Sequence, residues 1–458
     1  MKYAKFVFVC VVVSVLLFSF GMLFASGSKK EAPELKVAEY PEPKAIPSME
    51  EANIDWKQFS GEEIAVLMCV HPWQEAIEPF LPEFEQLTGM NVKLVKIPEA
   101  QFLTKVPADF TAGTFAFDVF MSQYYDSPKY ALEHWSADVE PLINNTKITD
   151  PDWYEWEDFF QAARDVATVG DTYFDRVALT AEAQILIYRD DVYQELGLEV
   201  PDTFDELIEN ARIIHEEKDI AGMTLRGGLA LWWPLTSFMR SFGGEYFDTD
   251  WTPLVNSPGS KKGAEAYLAL TEYAPRGITS YDWDEINTAM LSGQAAMFLD
   301  SSVIYSRLQD PEKSTVVGKI KAAPYPKGPA GRIAHAHFWS ISIADNSDKK
   351  EQAWMFIEWA TSKLMMYRVG LTGVVAPRAS VWEEPAYIEQ FSPDFSSALS
   401  ETLKTAVISH AHSRFFEMMD ILTGEMQKAI LGEKDLDKAL DFTQNEWERI
   451  IADWKASR

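Results

Sequence analysis

Residues 180–217 of the chain read TAEAQILIYRDDVYQELGLEVPDTFDELIENARIIHEE. The apolar run over 184–188 predicts a buried strand, and a short helical stretch follows it. Thr203, with Glu206 three residues later, has the pattern of a capping box at the start of an amphipathic helix over 204–215. A strand followed by two helices with a turn between them is typical of an α/β protein.

The rest of the chain shows the same alternation of strands and helices. Apolar runs predict strands at 64–70, 91–97, 117–121, 176–180 and 338–343, and periodic stretches predict helices at 74–88, 263–273, 350–362 and 436–454. Such an alternation predicts sheets covered by helices, so we predict the α/β fold class. The length of 458 residues corresponds to two or three compact units.

The first 27 residues have the pattern of an export signal. Lys2 and Lys5 precede an apolar run over 6–20, and the small residues at 25–27 offer a cleavage site. We therefore expect a periplasmic or otherwise extracytoplasmic protein. Because the apolar run is about long enough to span a bilayer, tethering through an uncleaved N-terminal segment stays open as the competing interpretation.

Residues 28–60 are rich in Lys, Glu and Pro, a composition that predicts a flexible leader. Cys10 lies in the export signal and Cys69 is the other cysteine, so the cleaved protein can form no intramolecular disulfide. The chain is acidic, because 70 Asp and Glu against 41 Lys and Arg give a net charge of −29. Nucleic acid is bound by basic surfaces, so we predict no nucleic-acid partner.

Aromatic and polar residues collect at the ends of the predicted strands, where ligands of open α/β sheets bind. Aromatic rings can cover the C–H surfaces of a polyhydroxylated ligand while acids and amides bind its hydroxyl groups. The residues at these positions are His71, Trp73, Tyr124, Tyr125, Glu182, Asp300, His337 and Trp339.

The sequence contains no G-x-S-x-G, H-E-x-x-H, G-x-x-x-x-G-K or paired C-x-x-C motif, which favours binding over catalysis. His335 and His337 alternate on a predicted strand and so point to one face, but a metal site needs three or four ligands and no third one is evident. We therefore predict no enzymatic activity, no metal and no cofactor. A secreted carbohydrate-active enzyme and a sensor input module remain the alternatives from other classes.

Several segments, taken in order, resemble the family 1 extracellular solute-binding proteins of ABC importers, the group that includes maltose-binding protein. One is the stretch 180–217 quoted above. The others are FEQLTGMNVKLV from Phe84, TAGTFAFDVFM from Thr111, GGEYFD from Gly243, LSGQAAMFLDSS from Leu291, PYPKGPAGR from Pro324, DKKEQAWMFIEWATS from Asp348, GVVAPRASV from Gly373 and ILGEKDLDKAL from Ile430. The resemblance covers almost all of the chain after the leader.

The resemblance implies a two-lobed periplasmic-binding-protein-like fold, with crossing hinge segments and a ligand cleft that closes on binding. It implies a first lobe of residues 61–170 and 340–383 and a second lobe of residues 171–339 and 384–458. The implied function is a receptor, expected to be a monomer, that delivers a sugar or polyol to the membrane subunits of an ABC importer. A non-carbohydrate solute is the alternative ligand.

The resemblance also implies site residues. Glu182 falls at the position of a cleft acid, Trp233 falls at that of an aromatic residue near the sugar, and the cleft-lining segments contain Tyr124, Tyr125, Asp300 and Ser301. We expect stacking from Trp73, Trp233 and Trp339, and hydrogen bonds to hydroxyl groups from Glu182, Asp300 and His337. The stretch AHAHFW over 334–339 lacks the glycines that the family has there, so the ligand of maltose-binding protein is not transferred to this chain.

Overall fold

The computed structural model describes residues 40–169, 173–408 and 411–457. The predicted export signal over 1–27, and the part of the leader before residue 40, lie outside the described residues. Among the helices that the structure describes, none is both long enough and apolar enough to cross a membrane.

The strands of the described residues are short. In chain order they are β1 (Glu63–Cys69), β2 (Asn91–Ile97), β3 (Val119–Gln123), β4 (Thr168–Val169), β5 (Tyr173–Phe174), β6 (Val177–Ala178), β7 (Glu182–Arg189), β8 (Met297–Ser301), β9 (Ile320–Ala323), β10 (Ala336–His337) and β11 (Trp339–Ile343).

The α-helices surround these strands. In chain order they are α1 (Pro72–Ile77), α2 (Leu81–Thr88), α3 (Glu99–Ala112), α4 (Ser127–Leu132), α5 (Glu140–Ile143), α6 (Pro151–Tyr154), α7 (Gln161–Asp165), α8 (Asp190–Leu196), α9 (Phe204–Glu217), α10 (Trp232–Ser241), α11 (Pro258–Thr271), α12 (Trp283–Leu291), α13 (Tyr305–Leu308), α14 (Lys350–Ala360), α15 (Lys363–Gly370), α16 (Pro385–Ile388), α17 (Pro393–Leu403), α18 (Phe415–Ile430) and α19 (Leu436–Ala456). The single helix predicted over 74–88 is divided into α1 and α2, because Pro79 and Pro82 lack the N–H that a continuous helix would need.

Five strands form the first sheet, in the order β2-β1-β3-β11-β6. β1 is parallel to β2 and β3, whereas β11 is antiparallel to β3 and β6. Helix α3 packs on β1 and helix α14 packs on β11. Strands β3 and β11 are buried along their whole length, as expected for a sheet with helices on both faces.

The second sheet is built around β7, which pairs antiparallel with β8, β9 and β10. A further segment runs parallel to β8, since the amide of Thr224 donates to the carbonyl of Met297 at 2.8 Å. This pairing fixes the place of Arg226, two residues later, near the end of β8. Helix α17 packs on β7 and β9, and α18 packs on α19, α10 and α11.

We call the part built on the first sheet lobe 1 and the part built on the second sheet lobe 2. The chain crosses from lobe 1 to lobe 2 between β6 and β7, returns between β10 and β11, and crosses again between α16 and α17. Two α/β lobes joined by crossing segments are the fold that we predicted. The first crossing lies later than the predicted boundary at residue 171, because β6 still pairs with β11 in lobe 1.

Residues 40–60, which we predicted to be part of a flexible leader, are packed on the folded chain. Both carboxylate oxygens of Glu384 accept backbone N–H groups, from Lys44 and Ala45, at 2.9 Å. The prediction was wrong for this stretch because its composition conceals a few well-placed apolar side chains. The buried ones are Ile46, Met49, Ala52 and Trp56.

Replacing Trp56 with alanine tests this packing. The Trp56 ring is buried, lies edge-on to Trp153 with 5.9 Å between centroids, and donates from Nε1 to the carbonyl of Met49 at 3.1 Å. We expect Trp56→Ala to lower the free energy of unfolding by about 3 kcal/mol, as loss of a large buried side chain does. Urea titration measures the change, with the exposed Glu50→Ala as control. A loss below about 0.5 kcal/mol, typical of a surface substitution, would mean that the segment does not stabilise the fold.

Candidate functional site

A cavity of about 30 Å³ lies between the two lobes, where the ends of strands from both sheets meet. Lobe 1 contributes the ends of β1 and β3 and the start of β11, and lobe 2 contributes the end of β8 and the start of β7. The side chains around the cavity are those of His71, Glu99, Leu103, Gln123, Glu182, Arg226, Ala230, Trp232, Trp233, Trp283, Ser301, Val303, His337 and Trp339.

The structure brings six of the ten predicted site residues to this cavity. They are His71, Glu182, Trp233, Ser301, His337 and Trp339. The other four, Trp73, Tyr124, Tyr125 and Asp300, lie behind the lining. Trp73 is fully buried within α1, so its ring has no face open for the stacking that we expected.

Tyr124 and Tyr125 support the cavity from behind. Their hydroxyl groups lie 3.0 and 2.8 Å from Nε2 of His335, which is itself buried. Burial lowers the pKa of His335 well below its usual value. Of the two histidines in AHAHFW, His335 therefore belongs to this buried hydrogen-bonded group, and His337 reaches the cavity.

Glu182 begins β7 and carries the best-defined carboxylate of the site. It accepts hydrogen bonds from the hydroxyl of Thr180, at 2.6 Å, and from that of Ser301. Nε2 of His71 lies 3.3 Å from its Oε1. Burial alone would raise the pKa of Glu182, but the contacts with His71 and Ser301 outweigh it and lower the pKa to about 2. Glu182 is therefore ionised near neutral pH.

The orientation of His71 follows from the start of α1. Its Nδ1 accepts the backbone N–H of Trp73 at 3.1 Å, which caps the helix. Because Nδ1 is an acceptor, the ring proton lies on Nε2 and faces Glu182. Of these two predicted site residues, His71 therefore contributes its ring to the cavity, whereas Trp73 contributes only the backbone N–H that orients that ring.

Arg226 is the main feature of the site that the sequence did not reveal to us. Its Nε and Nη2 donate to both carboxylate oxygens of Asp300, at 2.9 and 3.0 Å, and its Nη1 donates to Glu99 at 2.8 Å. The bidentate pair explains why Asp300 does not line the cavity, because its carboxylate is occupied by Arg226. Glu99 belongs to lobe 1 and Arg226 to lobe 2, so this ion pair also joins the lobes.

Two tryptophan rings flank the Arg226 guanidinium. Its central carbon lies 5.2 Å from the centroid of Trp233 and 5.4 Å from that of Trp283, distances at which a cation is attracted to an aromatic face. A third ring, that of Trp339, packs against His71 with 5.7 Å between centroids. The cavity therefore has indole walls and a charged, hydrogen-bonding interior.

Several lining residues had only weak signals in the sequence. Arg226 stands in T-L-R-G-G, where a basic residue in an apolar stretch of an acidic chain precedes two glycines. Glu99 begins a helix directly after β2, and Gln123 ends β3. Both are strand-end positions of the kind that we inspected. Trp283, which begins α12, follows no predicted strand and had no such signal.

No group of three or more His, Cys, Asp or Glu side chains that could hold a metal ion occurs in the described part of the chain. The carboxylates around the cavity pair instead with Arg226, hydroxyl groups and His71. The arrangement is therefore suited to binding an organic solute by hydrogen bonds and ring contacts.

Residues 72–364 match the sequence profile of the family described as bacterial extracellular solute-binding protein. The chain belongs to this family. The match confirms the predicted family and the prediction of a binding protein instead of an enzyme, and it places this solute-binding protein outside the cytoplasm.

Proteins similar in sequence or structure to this chain are also solute-binding proteins. The erythritol/L-threitol-binding protein of Mycolicibacterium smegmatis is 29% identical over 355 residues, which are 72% of this chain and 73% of that protein. A probable amino-acid ABC transporter periplasmic-binding protein of Sinorhizobium fredii is 26% identical over 341 residues, 73% of this chain and 77% of that protein. An ABC transporter solute-binding protein from Agrobacterium radiobacter K84, solved in complex with ribitol, is 26% identical with a TM-score of 0.77, covering 85% of this chain and 99% of that chain.

The buried His337 predicts a pH dependence of stability. Burial lowers the pKa of His337 from its usual 6.5 to about 4, so between these values the unfolded chain binds a proton that the folded chain does not. The free energy of unfolding should therefore fall as the pH drops from about 6.5 to about 4, by up to about 1.4 kcal/mol per pH unit from this group. The depressed pKa of Glu182 adds a further loss at lower pH, as the pH falls toward about 2.

Urea titrations between about pH 7 and pH 4 measure this slope. We expect His337→Gln to reduce this slope, with the buried His335 keeping part of it, and His215→Gln, which changes an exposed histidine, to leave it unchanged. An equal slope in the wild type and His337→Gln would contradict the assignment.

Proposed function

We propose that this solute-binding protein encloses a small polyol between its lobes and presents it to the membrane subunits of an ABC importer. The observation that carries the proposal is the cavity between the lobes, where indole rings and fixed hydrogen-bonding groups surround a small volume. Four- and five-carbon sugar alcohols, such as erythritol and ribitol, are the ligands that we favour.

The polar groups supply both partners that a hydroxyl group needs. The Glu182 carboxylate is an acceptor, while the Arg226 guanidinium and the Gln123 amide offer donors. The rings of Trp233, Trp283 and Trp339 cover the C–H surfaces that lie between the hydroxyl groups of a polyol. A ligand with a hydroxyl group on every carbon would satisfy the whole lining.

The cavity of about 30 Å³ holds only water-sized groups, so any organic solute would enter with the lobes further apart than they are in this structure. The preference for a small ligand therefore rests on the related proteins. Two of them point to short sugar alcohols, since one is named for erythritol and L-threitol and the other was solved with ribitol. This is the basis for preferring a polyol to a maltose-like sugar.

An amino acid is the second candidate, because one relative is named as a probable amino-acid binding protein. Glu182 could receive an ammonium group. The carboxylate of an amino acid, however, would need a free cation, and Arg226 is already paired with Asp300 and Glu99. The polar lining therefore suits a neutral ligand better.

Hinge closure is supported by contacts that bridge the lobes at the cavity. His71 and Glu99 of lobe 1 meet Glu182 and Arg226 of lobe 2. Separation of the lobes would break both contacts and open the cavity to solvent, as in hinge motions of ligand-binding proteins. The importer would then recognise the closed arrangement.

We also propose that the protein acts as a monomer, because one chain supplies the whole cavity lining. The net charge of −29 supports the absence of a nucleic-acid partner. The protein would work on the outer side of the cytoplasmic membrane, where the importer takes up its solute.

A thermal-shift panel tests the ligand class, because a ligand that binds the folded state raises the melting temperature. We expect erythritol or ribitol to raise the Tm in a concentration-dependent way, and glycine, glutamine and maltose to leave it unchanged. Calorimetric titration then gives the Kd of any positive compound. A shift with an amino acid and none with any polyol or sugar would replace the proposed ligand class by the second candidate.

Trp233→Ala tests the ring wall. We expect it to weaken polyol binding by about 1–3 kcal/mol, as loss of a buried aromatic anchor does, with cooperative unfolding retained. The control is Trp135→Ala, because Trp135 packs on Phe110 of lobe 1 and does not line the cavity. Equal affinity of the wild type and Trp233→Ala would remove this ring from the binding site.

A further inference from the structure

We propose that Asp300 and Glu99 make the cleft selective for uncharged solutes, because together they neutralise Arg226 and leave an excess of negative charge at the cavity. The inference rests on the proposed function and adds to it the charge class of the ligand. Sugar acids and other carboxylate-bearing solutes of similar size would be rejected.

The positive charge of Arg226 is cancelled within the protein. Its guanidinium is buried and forms the bidentate pair with Asp300, which is itself fully buried. A buried pair of this geometry has no net charge to offer to a ligand. An arginine in a ligand cleft often binds the carboxylate of an anionic ligand. Here the carboxylate of Asp300 already occupies that position on Arg226.

The charged side chains at the cavity do not balance. After Arg226 and Asp300 cancel, the ionised Glu182 remains. Glu99 adds a further carboxylate that pairs with Arg226 at 2.8 Å, although burial raises the pKa of Glu99.

His71 adds no positive charge, because its Nδ1 accepts a backbone N–H and so carries no proton. Burial lowers the pKa of His337 to about 4, so that this ring supplies no positive charge near neutral pH. The excess at the cavity is therefore negative, and a carboxylate placed there would meet like charge without water to screen it.

Neutral ligands can still form hydrogen bonds with Arg226. A guanidinium has five N–H groups, and Asp300 and Glu99 together receive three of them. The remaining N–H groups can donate to a hydroxyl group without any need for a charged ligand. Arg226 thus acts as a fixed hydrogen-bond donor and not as a free cation.

Closure of the lobes adds to the charge selectivity. Glu99 reaches Arg226 from the opposite lobe, at 2.8 Å. An anion that approached Arg226 between separated lobes would take the position to which Glu99 returns on closure, and the two carboxylates would repel each other. Anionic solutes would therefore oppose the closed state, whereas neutral polyols would permit it.

Matched neutral and anionic ligands test the inference. Ribitol and ribonate have the same carbon chain and differ by a carboxylate, as do erythritol and erythronate. Calorimetric titration near pH 7 should give a Kd for ribitol or erythritol at least about 100-fold lower than for the matching acid, since a charge repulsion of a few kcal/mol corresponds to such a ratio.

Three variants locate the selectivity. Asp300→Asn and Glu99→Gln each remove one negative charge with little change of shape, and each should reduce the acid-to-polyol ratio of Kd values by about tenfold or more. Glu75→Gln is the matched control, because Glu75 also pairs with basic groups of lobe 2, those of Arg307 and Lys313, but does not line the cavity. It should leave the ratio unchanged even if closure becomes weaker for both ligands.

Distinct outcomes separate this inference from the proposed function. If the wild type binds a polyol but also binds its acid equally well, or if the ratio stays unchanged in both Asp300→Asn and Glu99→Gln, the charge selectivity is wrong and the polyol function stands. If the wild type binds no polyol, the proposed function fails and the inference fails with it. Should Asp300→Asn not fold, Glu99→Gln decides alone, because Glu99 lies at the start of a helix and pairs with Arg226 through one contact.

Discussion

The buried positive charge of Arg226 is the constraint from which much of the cleft follows. Removing a guanidinium from water is costly unless carboxylates pair with it and its N–H groups are bonded. Asp300 meets this need from the neighbouring strand, Glu99 meets it from the opposite lobe, and two indole rings cover the faces of the guanidinium. The closed arrangement of the lobes is thereby coupled to the charge balance of the site.

The crossing segments place the remaining polar groups. Thr180 and Glu182 stand where the chain enters lobe 2, and His337 and Trp339 stand where it returns to lobe 1. Rotation of one lobe relative to the other would therefore move these side chains directly. The ligand site and the hinge are made of the same residues, which is a physical reason why ligand binding and closure would be coupled.

The sequence predicted the fold well because its patterns are local. The apolar runs of β1, β2 and β7 and the capping box at Thr203 depend on neighbouring residues alone, and the structure has each of them. The residues at strand ends followed from the same patterns, so that His71, Glu182 and His337 were named before their partners were known, whereas Ser301 followed from the family resemblance. The segment over 40–60 was misjudged because its packing depends on contacts with residues more than three hundred positions away.

The rest of the site depends on contacts that no local pattern contains. Arg226 follows an isolated parallel pairing beside β8, and its partner Glu99 comes from a different lobe. Trp73 was expected to stack because it follows a strand, but it is the amide of this residue that matters, while its ring turns into the core of lobe 1. The sequence showed where β1 ends, but it did not show which side of α1 faces the cleft.

A crystal structure with ribitol or erythritol bound tests the central claim most directly. The account predicts a single polyol between the lobes, with its hydroxyl groups within hydrogen-bonding distance of Glu182 and Arg226 and its carbon chain against the rings of Trp233 and Trp339. Electron density for the polyol at another surface, or a ligand that contacts one lobe alone while Arg226 and Glu99 remain apart, would contradict it.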